Sequence, residues 1–122
     1  RQVWNNDAKG GCACYWGGRP AETMMFSAAY VAESKWNDTM WKTTDSAVKF
    51  NQLVKDARKE LDESKKRDIL YECQRLIYDD GGLLCPLFNS YVSANSKKIA
   101  HGKIAANWDS DGAKCVERWW FA

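Results

Sequence analysis

Apolar residues recur at helical spacing in two consecutive stretches of the chain, and charged residues fill most positions between them. The apolar positions are Phe50, Leu53, Val54, Ala57 and Leu61 in the first stretch, and Ile69, Leu70, Cys73, Leu76 and Ile77 in the second. Because this spacing places side chains on one helix face, the pattern predicts two amphipathic helices. The polar run Asp62-Glu63-Ser64 separates them, so we expect a helical hairpin packed on a sheet.

A shorter helix and a loop are predicted before the hairpin. The helix covers residues 21–30, and four apolar residues are expected on its inner side: Met24, Met25, Phe26 and Ala29. Residues 31–44 are typical of an irregular, tryptophan-rich loop. Asp45 or Ser46 is expected to cap the next helix through its side-chain oxygen.

Short apolar segments bounded by turn-forming residues predict strands. These segments are residues 12–16, 83–88 and 91–95, with residues 115–121 as a terminal strand or docking tail. Gly81 is expected in the left-handed conformation that ends a helix, and residues 97–102 are expected to be a polar linker. The predicted fold is therefore α/β or α+β, with a small mixed sheet covered by the helical hairpin.

The composition is that of an ordinary globular protein. The 122 residues are 45% apolar and 28% charged, with a formal net charge of +2, so a single domain over residues 1–122 is expected. The mixed charges provide little field to attract nucleic acid. No apolar run approaches the ~20 residues needed to cross a bilayer. Because the chain begins at Arg1 and not at Met, we expect a piece of a longer protein.

The cysteines and the single histidine lack the spacing of a metal site. Cys12 and Cys14 are separated by one residue, whereas zinc sites usually contain Cys-x2-4-Cys pairs. Cys73 on the predicted helix and Cys85 in the predicted strand are expected to be buried. His101 has no evident partner for a catalytic pair. We therefore expect no metal, no cofactor and no enzymatic activity.

The order of residues through the hairpin region resembles a known protein family. Between residues 50 and 88, a phenylalanine and a Leu-Val pair precede A-R-x-E-L-D, K-R-x-x-L-Y-x-x-Q and D-x-G-x-x-x-P-L-F. The tail adds N-W-D at 107–109 and E-R-W-W-F at 117–121. From about residue 15 to residue 122, the chain resembles the C-terminal part of the solute-binding proteins of bacterial peptide-type ABC transporters. These form the dipeptide and oligopeptide family, family 5 of the extracellular solute-binding proteins.

The resemblance implies a ligand receptor. Members of the family have two α/β lobes that close over a solute and deliver it to a membrane permease. The chain would supply mostly the second lobe, with residues from about 103 to 122 as a tail returning toward the first. The implied partners are a peptide or similar small solute and the permease subunits, without nucleic acid. The implied location is periplasmic, peripheral to the membrane and not inserted in it.

Cleft ligands usually meet loops at strand ends, so the expected ligand-binding residues are Trp16, Gly17, Gly18 and Arg19. Trp36, Asn37 and Trp41 in the following loop are weaker candidates, with loop anchoring as the alternative. Peptide-binding members commonly carry an aspartate where this chain has Arg19. A cation there would repel an ammonium group and attract a carboxylate or another anion, unless Arg19 is simply a solvated loop residue.

A protein-interaction scaffold is the other function that the sequence leaves open. Aromatic side chains suit docking surfaces as well as cores, and the chain contains seven tryptophans. An isolated piece of a lobe would expose surfaces that normally pack against the rest of the protein.

Overall fold

The computed structural model describes Gly11 and residues 13–122. In this part the chain has five helical segments and a two-stranded antiparallel sheet, which confirms the predicted α+β class. The elements are α1 (Glu22–Ala29), α2 (Asp45–Lys59), α3 (Glu63–Asp80), β1 (Ile99–His101), α4 (Asp109–Ala113), α5 (Cys115–Arg118) and β2 (Trp119–Phe121). Among the described helices, none has both the length and the apolar character required to span a membrane.

The described residues form two compact units. The first contains Ala21–Cys85 together with the described residues before Trp16, and the second contains Trp16–Pro20 and Pro86–Ala122. Helices α1, α2 and α3 therefore belong to the first unit, whereas the sheet and the two short helical segments belong to the second.

Side-chain caps fix the start of both long helices. Thr44 Oγ1 accepts a hydrogen bond from the backbone N–H of Ala47 at 3.2 Å, so the predicted cap at Asp45 or Ser46 is wrong by one or two residues. Asp62 Oδ1 accepts from the N–H groups of Ser64 and Lys65 at 2.9 and 3.0 Å. Each cap satisfies N–H groups that have no partner within the helix.

The apolar faces of α2 and α3 pack on each other and on α1, which confirms the predicted hairpin. Phe50 is fully buried, with ring centroids 5.7 Å from Phe26 and 5.2 Å from Trp41. The other hairpin residues of this core are Ala47, Val54, Ala57, Leu70, Cys73, Leu76 and Ile77. The prediction that Leu61 belongs to the apolar face is wrong, because Leu61 lies beyond the end of α2 and is 92% exposed.

The predicted short helix is confirmed as α1, but its inner side is narrower than expected. Phe26 and Ala29 are buried, whereas Met24 is exposed and Met25 is half-buried. The core that covers the hairpin in the described residues is therefore helical and aromatic, not a sheet.

The left-handed residue after α3 is the second glycine of the pair and not, as predicted, the first. Gly81 continues the helical conformation with φ −71°, and its N–H donates to the carbonyl of Ile77 at 2.8 Å. Gly82 has φ +67° and is the left-handed residue. The prediction of a left-handed Gly81 is wrong by one residue, because the helix takes one more hydrogen bond before it ends.

Three predicted strands are not formed. Residues 13–16, 83–88 and 91–95 are irregular, and Cys12 lies outside the described residues. Leu84, Phe88 and Val92 are 93%, 95% and 93% exposed, so the apolar runs do not enter a core. An apolar run becomes a strand only where a neighbouring strand completes its ladder, and the described residues contain one strand pair, elsewhere in the chain.

The prediction of a buried cysteine is confirmed for Cys73 and wrong for Cys85. Cys73 is buried on the inner face of α3, and burial raises the pKa of its thiol to about 11. Cys85 is exposed, since the segment that carries it is not a buried strand.

The sheet pairs β1 with β2 in antiparallel register, with Ala100 opposite Trp120. Residues 97–102 therefore contain a strand, and the prediction of a polar linker is wrong there. The predicted terminal strand is confirmed for Trp119–Phe121, whereas Cys115–Arg118 is helical. Backbone pairing with a partner about twenty residues away is what makes the short β1 segment a strand.

A left-handed turn lies before α5. Ser110, Asp111, Gly112 and Ala113 have φ values of 49°, 61°, 71° and 61°, so α4 is one turn of the opposite hand. Asp111 is 4% exposed, and its carboxylate accepts hydrogen bonds from the Ala105 N–H at 2.6 Å and Trp119 Nε1 at 3.0 Å. Arg118 Nη1 lies 2.9 Å from Asp111 Oδ1. These partners hold the turn against the usual preference of L-residues.

Candidate ligand-binding site

The guanidinium of Arg19 lies beside two indole rings in the second unit. Its central carbon is 5.8 Å from the ring centroid of Trp16 and 5.3 Å from that of Trp108. All three side chains are half-buried. A guanidinium at this distance is attracted by the electron-rich faces of both rings, so the two tryptophans restrict where the cation can lie.

The glycine loop also binds the arginine that follows it. Arg19 Nη1 donates to the carbonyl oxygens of Gly17 and Gly18 at 2.9 and 3.1 Å. An arginine side chain carries five N–H groups, and the two on Nη1 are engaged here. Nε and Nη2 have no hydrogen-bond partner among the described residues, so three N–H groups remain able to donate to a ligand.

Tyr91, which is distant in the sequence, also holds the glycine loop in place. Its hydroxyl oxygen accepts a hydrogen bond from the Gly18 N–H at 3.1 Å. A Cβ atom at Gly18 would lie 2.8 Å from that oxygen, whereas a Cβ at Gly17 would meet nothing closer than 3.6 Å. Close approach therefore requires a glycine at position 18 but not at position 17.

The predicted residues of the second loop lie in the first unit and are largely internal. Asn37 is 1% exposed, and its Nδ2 donates to the carbonyl of Trp41 at 2.9 Å. Thr39 Oγ1 donates to Asn37 Oδ1 at 3.2 Å. Both polar groups of the Asn37 side chain therefore form hydrogen bonds within the loop that carries it.

Trp41 is also bound within the fold. It is 5% exposed, and its Nε1 donates to Asp80 Oδ2 at 2.7 Å. Thr44 Oγ1 donates to the same oxygen at 2.7 Å. Both hydrogen bonds lower the pKa of Asp80, and the one from Trp41 has the larger effect. Trp36 differs from the other two residues because 44% of it is exposed.

The long-range contacts of the loop at residues 16–19 are not predictable from the sequence. Trp108 and Tyr91 lie 89 and 72 residues after Arg19, so no local spacing connects them. The sequence predicts a strand at Tyr91 and a loop at Trp108, and neither prediction connects these residues to Arg19. Asp80 was missed as the acceptor for Trp41 because it resembles an ordinary polar residue at the end of a helix.

The Asp111 carboxylate is the other notable charged group of the second unit. The backbone hydrogen bond from Ala105 contributes most to lowering its pKa, and Trp119 and Arg118 add to the effect. Both carboxylate oxygens accept hydrogen bonds from the chain itself. Such a group stabilises its turn and is poorly suited to act as a general base.

A shallow cavity of about 380 Å³ lies on the first unit. Its charged lining residues are two acidic ones, Glu22 and Glu63, and two basic ones, Lys66 and Arg67. Lys66 Nζ is 3.7 Å from Glu22 Oε1. The opposite charges balance, so this cavity has no net charge with which to select an ion.

Among the described residues, no group of three or more His, Cys, Asp or Glu side chains is arranged to hold a metal ion.

In the comparisons with known proteins, no family model, curated protein or solved structure matches the chain.

Proposed function

We propose that this chain is the C-terminal part of a solute-binding protein of a peptide-type ABC importer. In the periplasm, it would help to bind a peptide or similar small solute between two lobes and deliver it to the membrane permease. Residues from about 103 to 122 would form the tail toward the first lobe. The order of residues between 50 and 88 and the helical hairpin that they form support the proposal.

The placement of Arg19 carries the proposal at the level of the site. Its guanidinium is flanked by Trp16 and Trp108 and bonded to the loop carbonyls, as ligand-binding arginines often are. A merely solvated loop arginine needs neither set of contacts. This loop is also the one that sequence reasoning placed first among the ligand-binding candidates.

Isothermal titration calorimetry of the full-length protein, of which this chain would be the C-terminal part, tests the proposal. The panel contains a randomised tripeptide library, oligosaccharides and small organic anions. We expect saturable binding of one class, weakened at least ~10-fold by Trp16→Ala because an indole ring that positions the Arg19 guanidinium is lost.

Trp120→Ala is the matched control for that variant. Trp120 is 55% exposed in β2, and its removal should leave the affinity unchanged. Both variants must retain the circular dichroism spectrum of the parent. Absence of binding across all three classes by the folded full-length protein would overturn the proposal.

An interaction scaffold is the second candidate, and one observation favours it. Phe88 and Val92 are 95% and 93% exposed, and exposed apolar side chains close in sequence are typical of docking segments. A scaffold would bind no small solute but would associate through this segment. Light scattering would then detect association that Phe88→Ser reduces.

A further inference from the structure

We propose that Arg19 is the anchor for a carboxylate group, so that the solutes of this site carry a free acid end. This inference rests on the proposed function, because it names the solute class of the same loop. Its first support is the count of donors. Nη1 is engaged by Gly17 and Gly18, which leaves the edge formed by Nε and Nη2 for a ligand.

The shape of that edge matches a carboxylate. Parallel N–H groups of a guanidinium donate to the two oxygens of one carboxylate, and such bidentate pairs are shorter and stronger than neutral hydrogen bonds. The guanidinium is the only side chain in proteins with this rigid fork of donors. A neutral acceptor such as an amide oxygen offers one oxygen and no charge, so it matches this edge less well.

The arginine is already held in place before a solute arrives. Trp16 and Trp108 restrict the position of the guanidinium, and the carbonyls of Gly17 and Gly18 bind one of its nitrogens. Tyr91 in turn holds Gly18. Ordering a free arginine side chain costs binding energy, and an arginine that is already ordered avoids much of that cost.

The charge of the site argues against an amino end as the anchored group. Among the described residues, no carboxylate forms an ion pair with Arg19, so its positive charge is not neutralised within the chain. An ammonium group placed against it would be repelled, whereas a carboxylate would be attracted. The two indole faces that could have received an ammonium are already beside the guanidinium.

The test compares three forms of one randomised tripeptide library by calorimetric titration of the full-length protein: unmodified, N-acetylated and C-amidated. We expect N-acetylation to change the apparent affinity by less than ~3-fold, because the amino end is not anchored. C-amidation should weaken binding at least ~10-fold, since a charge-assisted bidentate contact is lost. Equal binding of the amidated and unmodified libraries would overturn the inference and leave the solute-binding function standing.

Arg19→Lys connects the effect to the proposed residue. Lysine keeps the positive charge and lacks the planar fork, so the difference between the acid and amide libraries should shrink several-fold. Arg67→Lys is the same substitution at an exposed position on α3 of the first unit, and it should leave the difference unchanged. Absence of binding by the unsubstituted full-length protein to peptides, sugars and organic anions alike would overturn both the proposed function and this inference.

Discussion

At the scale of single residues, the two loop glycines differ in the space around them. Gly18 approaches Tyr91 so closely that a Cβ atom would lie 2.8 Å from the hydroxyl oxygen. Gly17 has ordinary van der Waals room at 3.6 Å from Arg19. A glycine pair that looks uniform in the sequence therefore contains one residue required by a contact and one that the contact does not require.

We expect Gly18→Ala to disrupt the hydrogen bond between its N–H and Tyr91. Displacing the tyrosine hydroxyl is enough to relieve the overlap, so the protein should stay folded and lose about 0.5 to 1.5 kcal/mol of local stability. Amide hydrogen exchange by NMR would report the loss as faster exchange at position 18. Gly17→Ala should leave that exchange rate unchanged, and equal rates in both variants would contradict the prediction.

Residue-scale features were predictable where they are local and not where they depend on distant partners. Cys73 could be placed in the core because its helical position repeats the apolar spacing. The neighbours of Arg19 could not be found, because Trp108 and Tyr91 come from remote parts of the chain. Burial of Asn37 was likewise hidden, since its polar side chain is satisfied by backbone carbonyls that only the folded loop brings near.

At the scale of secondary-structure elements, the helical hairpin depends on one aromatic cluster. Phe50 of α2 is fully buried and contacts Phe26 and Trp41 through ring edges and tilted faces. Deleting a large buried side chain removes both its transfer free energy and its packing contacts. The cost should therefore be large at this position.

We expect Phe50→Ala to lower the free energy of unfolding by about 3 to 5 kcal/mol, measured by urea titration with fluorescence detection. Phe50→Leu should cost less, because leucine refills part of the volume. Val48, on the same helix but 61% exposed, supplies the control. Val48→Ala should change stability by no more than about 0.5 kcal/mol.

A second element-scale prediction concerns the junction between α3 and the loop before α2. Asp80 accepts hydrogen bonds from Trp41 and Thr44, which lower its pKa in the folded state. Its contribution to stability is therefore complete above the ordinary pKa of aspartate, about 3.9, and is lost as the pH falls through the lowered value. Urea unfolding between about pH 2.5 and pH 6 should show this loss.

The Asp80→Asn variant should show a shallower loss of stability on acidification than the parent protein. The difference between the two proteins isolates the effect of Asp80 from that of other carboxylates. One of these is Glu72, because hydrogen bonds from Arg75 and Lys49 lower its pKa to about 2. Asp68→Asn removes an exposed carboxylate of the same helix and serves as the control. Parallel pH curves for Asp80→Asn and the parent would contradict the assignment.

Helices and strands could be predicted from the sequence where the contacts that stabilise them are close along the chain. The hairpin helices were predictable because periodicity and capping are local properties. The strands were not, because an apolar run does not reveal whether another segment will complete its ladder. Residues 83–88 look more apolar than residues 99–101, yet the latter form the strand, paired with residues 119–121.

At the scale of the whole molecule, burial is distributed very unevenly. The apolar core cluster lies entirely between Phe26 and Ile77, within the first unit. In the described part of the second unit, Asp111 is the only buried residue. The first unit therefore has the requirements for independent folding, whereas the second is held mainly by hydrogen bonds and partly covered aromatic rings.

We expect a fragment of residues 21–85 to keep a helical circular dichroism spectrum and to unfold cooperatively on heating, because it contains the whole core cluster. A fragment of residues 86–122 should show no cooperative transition, since a two-stranded sheet without a core is marginal in water. Gradual melting of the first fragment would show that its core needs the remaining residues.

The left-handed turn from Ser110 to Ala113 has a consequence for chemical synthesis of the chain. Each L-residue in such a turn costs roughly 1 to 2 kcal/mol, and only Gly112 is exempt. A D-amino acid prefers these same dihedral angles. At Ala113 the protein therefore offers a position where the mirror-image building block suits the backbone better than the natural one.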